Sequence, residues 1–181
     1  MTRILQPITS TWLDYPDKED CSLVVVMMGC DNGCPKCQNP NFKNPDFNTE
    51  TKEYSVDELI AELKQLSIRH RTNKIVLSGG DPLSCFNVQF TKEFLEKSPF
   101  EVCVYTGHNI DYVKMMDVKN FTFVKCGLYD ENNAQPSEKM DEYMRFASTN
   151  QQLFDSNYCC LSQDGVYYFC LLYTSDAADD L

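Results

Sequence analysis

The spacing of apolar residues along the chain changes repeatedly, and each change marks an element. Within CSLVVVMMGC (residues 21–30) nearly every position is apolar and the centre is β-branched, which predicts a strand buried on both faces. The next stretch, GCDNGCPKCQNPNFKNPDF, is rich in Gly, Pro and Asn and sustains neither the helical nor the strand period, so it is a loop leaving that strand. Ser55 and Glu58 form a capping box, and Val56, Leu59, Ile60, Leu63 and Leu66 then recur at helical spacing through Arg69. Lys74 to Leu77 reads as a second buried strand ending in SGGDP, followed by a helix from about Asn87 to Lys97 with Phe90 and Phe94 on one face. Residues 101–105 (EVCVY) predict a third strand, Ile110 to Met116 a short helix, and Phe121 to Lys125 a fourth strand. Strand and helix alternate, so the expected fold class is α/β, with a parallel sheet and right-handed crossovers. Beyond it, Pro136 to Ala147 is expected as a further helix carrying Met140, Tyr143 and Met144. Val166 to Tyr173 is expected as an aromatic edge strand, and Asp176 to Leu181 as a frayed acidic tail.

Composition narrows the class. At 181 residues, 43% hydrophobic and 24% charged, with 7 Gly and 8 Pro, the chain suits one globular domain spanning 1–181 and is neither disordered nor repetitive. A net charge of -11 disfavours a surface that coats nucleic acid, which needs clustered positive charge. The same acidity would suit a partner with a basic docking face, or is simply solvated surface. No apolar run approaches the roughly 20 residues of a membrane helix. The opening MTRILQPITSTWLDYP lacks a signal-peptide pattern, and ten cysteines are too few for a small disulfide scaffold, so a cytoplasmic, reducing location is expected.

The chemistry concentrates in Cys30, Cys34 and Cys37, a C-x3-C-x2-C triplet directly after a buried strand. Three thiolates on one loop can ligate three irons of a [4Fe-4S] cluster and leave the fourth open to a non-protein ligand. A structural zinc site would need a fourth ligand, for which Cys21, Cys159 and Cys160 are the candidates, since His70 and His108 have no spacing relation to the triplet. Three unrelated buried thiols are the third reading. Cys85, Cys103 and Cys170 lie in or beside apolar elements and are expected to be buried structural thiols.

The combination of GC-x3-C-x2-C after the first strand and SGGDP after the second resembles the radical S-adenosylmethionine (SAM) superfamily, and within it the small anaerobic ribonucleotide reductase activating proteins. The resemblance runs from about Trp12 to Asp155 and includes YTG at Tyr105 to Gly107 and NQQLFD at Asn150 to Asp155. It implies an incomplete parallel β/α barrel in which Cys30, Cys34 and Cys37 hold the cluster and the open iron chelates SAM. By the same resemblance Ser78, Gly79, Gly80 and Asp81 lie against the methionine moiety, the glycines allowing close backbone approach and Asp81 adding charge or merely making an Asp-Pro turn. Gly29 would admit cluster or adenosyl group beside the strand end, and Asn39 would hydrogen-bond near the cluster or turn the chain. The family commonly has an aromatic residue or histidine where this chain has Gln38, and Asp-Gly where this chain has FVKCG, Phe123 to Gly127, with Cys126 in the acidic position. Lys125 nearby would meet a SAM carboxylate or simply face solvent, the latter being the preferred expectation.

The implied activity is reductive cleavage of SAM, with no acid-base side chain required, followed by generation of a glycyl radical. The implied partners are a large anaerobic ribonucleoside-triphosphate reductase and a one-electron donor such as a flavodoxin. Other expectations compatible with the triplet are an activase of a different glycyl-radical enzyme, a 7-carboxy-7-deazaguanine synthase-like enzyme, and a non-catalytic, zinc-stabilised interaction module.

Overall fold

A computed structural model describes residues 1–16, 21–47 and 50–169. Its elements in order are β1 (Thr2–Leu5), β2 (Thr9–Thr11), β3 (Ser22–Met27), β4 (Thr51–Tyr54), α1 (Val56–His70), β5 (Lys74–Gly79), α2 (Val88–Lys97), β6 (Glu101–Tyr105), α3 (Ile110–Met115), β7 (Phe123–Cys126), β8 (Glu138–Lys139), β9 (Tyr143–Arg145), β10 (Gln152–Asp155) and β11 (Val166–Tyr168). The main sheet runs β10-β7-β6-β5-β3-β1-β4, and β2 also pairs with β3. Its four central strands, β7, β6, β5 and β3, are parallel, as the alternation of strands and helices predicts. The sheet is nevertheless mixed rather than wholly parallel, because β1, β2, β4 and β10 join antiparallel. These flanking strands are three or four residues long and bury at most two of them, as β1 buries Thr2 and Ile4 on either side of exposed Arg3, so no long apolar run announces them.

Local chemistry accounts for the helices. The Ser55 hydroxyl accepts the Glu58 N–H while the Glu58 carboxylate accepts the Ser55 N–H, so both halves of the capping box form at the start of α1. Asn109 caps α3 by accepting the Tyr112 N–H at 2.9 Å. The main core joins Leu59, Ile60 and Leu63 of α1 and Phe90, Phe94 and Leu95 of α2 to Leu23, Val25, Ile75, Leu77, Val102 and Val104 of the sheet. Each such side chain contributes about 1.5–3 kcal/mol on full burial. On the opposite face a smaller cluster of Val76, Cys103 and Tyr15 packs with Val24, Tyr105 and Phe123.

The segment from Pro136 to Ala147 is not a helix. It forms β8 and β9, which with β11 make a second, three-stranded antiparallel sheet in the order β11-β9-β8. Met144 and Phe146 are buried two residues apart, packing with Leu153 and Tyr167, while Met140 is exposed. That burial has the period of a strand, and a 2.6 Å ion pair between Arg145 and Glu138 ties β9 to β8. The expected edge strand at Val166 is present as β11 through Tyr168. Its continuation toward Tyr173, Cys170 and the acidic tail lie outside the described residues. Among the described residues no helix is long and apolar enough to cross a membrane.

Candidate functional site

The C-terminal ends of the four parallel strands converge on one cavity of about 220 Å³. Each strand contributes the residues just beyond its end: Cys30 follows β3, Ser78 to Gly80 end β5, Tyr105 to Gly107 end β6, and Lys125 to Gly127 end β7, of which Cys126 points elsewhere. This is where open α/β sheets place their ligands, because the loops leaving parallel strands all open on the same side. Cys34, Cys37, Gln38 and Asn39 complete the wall on the cysteine-loop side, and Tyr129, Ala147 and Gln151 close the other.

The structure brings Cys30, Cys34, Cys37, Gln38, Asn39, Ser78, Gly79 and Gly80 to this single cavity. Of the expected site residues, Gly29 and Asp81 are not among its lining. Gly29 has φ +96, and its carbonyl accepts from the Asp81 N–H at 3.0 Å, the Asn87 amide at 3.2 Å and the Ser84 hydroxyl at 3.3 Å. It is a fixed joint between β3 and the cysteine loop. Asp81 is almost wholly buried, and four donors of the chain itself occupy its carboxylate: the Leu83 N–H at 2.8 Å, the Gly107 N–H at 2.8 Å, the Thr106 hydroxyl at 3.0 Å and the Asn32 amide. Burial pushes this carboxyl above the usual carboxylate range, against the pull of those hydrogen bonds.

The two cavity glycines answer to protein backbone. A Cβ on Gly80 would come within 2.4 Å of the Gly29 carbonyl oxygen and 2.7 Å of that of Phe42; on Gly79, at φ +111, it would lie 2.4 Å from the Met27 oxygen. The Gly80 N–H donates to Met27 at 2.7 Å, so the SGGD loop extends the contact between β5 and β3 past the sheet and against the cysteine loop. The absent side chains let the two loops meet.

Lys125 does not face solvent. It is half-buried in the cavity wall, with Nζ 4.9 Å from the Tyr105 ring centre and 5.2 Å from that of Phe146. Desolvation lowers its ammonium to about 8, so it is largely charged at neutral pH. Cys85, expected to be buried, is exposed, whereas Cys103 is buried; burial of Cys126 pushes its thiol up to about 12. Cys30 is also raised, chiefly by burial, although the Asn32 N–H donates to its sulfur at 3.4 Å. Lys36, between the second and third cysteines, pairs with Glu131.

Among the described residues no other cysteine and no histidine lines the cavity. Cys21 lies at the far end of β3, with its thiol on the His70 carbonyl, and Cys159 and Cys160 are exposed beyond β10. Among the described residues, no three His, Cys, Asp or Glu side chains gather about one point as a single metal ion would require. Three thiols on one wall are the donor set that suits a cluster with one open iron, and no fourth side chain among the described residues closes the shell that structural zinc needs. Tyr105, Tyr129 and Gln151 were missed as wall residues, and Lys125 was assigned to solvent over a SAM carboxylate, because each is one polar residue at a strand end or loop. Only the placement of consecutive strand ends side by side gathers them.

Comparison with known proteins agrees with this donor set. A family model described as a 4Fe-4S single cluster domain matches residues 19–154, and the chain belongs to that family. Over 105 residues it is 25% identical to the 7-carboxy-7-deazaguanine synthase of Aquifex aeolicus (strain VF5), a match covering 58% of this chain. The match spans only 44% of that synthase. Together the two findings support the radical SAM superfamily and an iron-sulfur enzyme within it.

Proposed function

We propose that this 4Fe-4S protein is a SAM-dependent activase that generates a glycyl radical on a large anaerobic ribonucleoside-triphosphate reductase, drawing its electron from a donor such as a flavodoxin. The observation that carries the reading is the meeting of the three-thiol loop and the SGGD loop in one open cavity, with no fourth thiol or imidazole there among the described residues. Cys30, Cys34 and Cys37 would hold the cluster. When bound, the cluster and SAM supply the one-electron cleavage that yields a hydrogen-abstracting adenosyl species. The chain's own contribution is binding and orientation: Lys125 offers a cation to a carboxylate, Gln38, Asn39 and Gln151 offer amides, and Tyr105 and Tyr129 offer ring faces. None of these is needed as an acid or base.

The sequence match favours a second reading, a 7-carboxy-7-deazaguanine synthase-like enzyme. One experiment separates them: anaerobic reconstitution with iron and sulfide, reduction with SAM, quantification of 5′-deoxyadenosine, and electron paramagnetic resonance in the presence of a candidate reductase. The activase reading expects deoxyadenosine together with a glycyl-radical signal, and loss of both in Cys30→Ala, Cys34→Ala and Cys37→Ala. Cleavage with formation of a small 7-carboxy-7-deazaguanine-like product and no protein radical would favour the synthase-like enzyme. Full cleavage in any cysteine variant would overturn its place as a ligand.

A further inference from the structure

The Asp81 side chain joins three loops. Its Oδ1 accepts the Leu83 N–H and shapes its own turn after β5. Its Oδ2 accepts from the other two: the Asn32 amide, between the first two cysteines, and the Thr106 hydroxyl and Gly107 N–H beyond β6. The Asn32 amide reaches it by lying across Gly107, where a Cβ would stand 2.6 Å from Nδ2 and 3.0 Å from Cγ. Gly107, the last residue of YTG, is therefore the gap through which the cysteine loop is tied down.

The Asn32 backbone N–H also donates to the Cys30 sulfur, so the residue whose side chain reaches Asp81 holds a ligand sulfur with its main chain. The segment before it is fixed by the same stretch of chain: the Asn87 amide donates to the carbonyls of Met28 at 2.9 Å and Gly29 at 3.2 Å, and the Cys85 N–H donates to Asp31 at 3.0 Å. Residues 28–32 are thus held from one side by residues 81–87.

We propose that Asp81 is a positioning residue for the cluster: through Asn32 it sets the register of the cysteine loop against the strand ends, and Gly107 provides the space this requires. The proposal rests on the assignment of Cys30, Cys34 and Cys37 as ligands. Asp81 touches neither iron nor SAM in this role. The pairing is directional, because a carboxylate accepts only and the Asn32 NH₂ only donates. Asp81→Ala removes every contact of the carboxylate, Asn32→Ala removes only the tie to the cysteine loop, and in the double variant Asp81→Ala with Asn32→Ala the second change has no partner left to lose.

The test measures iron release to a chelator from anaerobically reconstituted protein, and amide exchange of residues 30–37 in the metal-free protein. Loss of a hydrogen bond to a buried charge is expected to speed iron release roughly 10-fold or more in Asp81→Ala and Asn32→Ala. It should also raise exchange in the cysteine loop. The double variant is expected to be about as labile as Asp81→Ala alone, a coupling that two independent structural defects would not produce. Asn32→Ala keeps the Leu83 turn and covers the case in which Asp81→Ala fails to fold. Release and exchange at wild-type rates in Asn32→Ala, or a double variant whose losses add, would overturn the proposal. If wild-type protein takes up no cluster, the ligand assignment fails on its own, and the exchange measurement still decides whether Asp81 orders the loop.

Discussion

Replacing Gly80 by Ala isolates the contact on which the cavity is built. The new Cβ would lie 2.4 Å from the Gly29 oxygen, 2.8 Å from the Gly29 carbonyl carbon and 2.7 Å from the Phe42 oxygen, all backbone atoms that no rotamer can move. Overpacking of this kind costs about 1–3 kcal/mol. Separating the loops enough to relieve it also stretches the hydrogen bonds from Gly80 to Met27 and from Asp81 to Gly29, each worth about 1 kcal/mol. A loss of about 3–5 kcal/mol is a large part of the roughly 5–15 kcal/mol that stabilises a domain, and at this chain length corresponds to a fall in Tm of roughly 6–20 °C. Thermal unfolding followed by circular dichroism on metal-free protein is the assay. Gly33→Ala is its control, because a Cβ there meets nothing within 4 Å and Tm should hold within about 2 °C. A Gly80→Ala protein as stable as Gly33→Ala when metal-free, and defective only in SAM binding, would refute the reasoning and return the glycine to a cofactor-approach role.

Two further outcomes follow from the buried titrating groups. If Lys125 meets the SAM carboxylate, affinity of the reconstituted protein for SAM should fall roughly 10-fold as pH rises through about 8 and the ammonium is lost. In Lys125→Met equilibrium binding should be weak and flat with pH. For folding the sign is opposite: the native state releases this proton near 8 and the unfolded chain near 10.5, so the lysine's burden on stability, full below pH 8, is relieved between those values, which urea titrations across that range would detect. Iodoacetamide at pH 8 should label Cys159 and Cys160 and spare Cys103 and Cys126, both buried and held protonated, in peptide mass spectra of the folded metal-free protein. Labelling of Cys126 as fast as Cys159 would contradict its placement.

The parallel centre of the sheet was legible because β3, β5 and β6 each carry an uninterrupted apolar run and strands alternate with helices, and α1 because its cap and period agree. Of the antiparallel strands β11 was legible from its aromatic run, but short strands such as β1, with Thr2 and Ile4 buried on one face, leave a signal no longer than chance alternation. At Pro136 to Ala147 Met140, Tyr143 and Met144 imitate a helical face, and only the burial of Met144 with Phe146 shows the period of two. In the site, the cysteine triplet and SGGDP were visible as motifs. The reason for each glycine was not, because the atoms that exclude a Cβ at Gly80 belong to residues 29 and 42, and those at Gly107 to residue 32. Lys125 read as a solvent-facing residue because one polar residue in a strand carries no mark of what covers it.

Strand β1 supplies no ligand, yet it grips both ends of the segment that carries them all. The Met28 N–H donates to the Arg3 carbonyl at 2.9 Å where the segment begins, and the Gln6 N–H donates to the Glu50 carbonyl at 2.7 Å where it ends. Bringing together the ends of a free loop of that length costs roughly 3 kcal/mol in chain entropy, a cost that metal uptake would otherwise have to meet. Here β1 meets it during folding, so a destabilising substitution at buried Ile4 is expected to loosen the cysteine loop from a strand that holds none of its thiols.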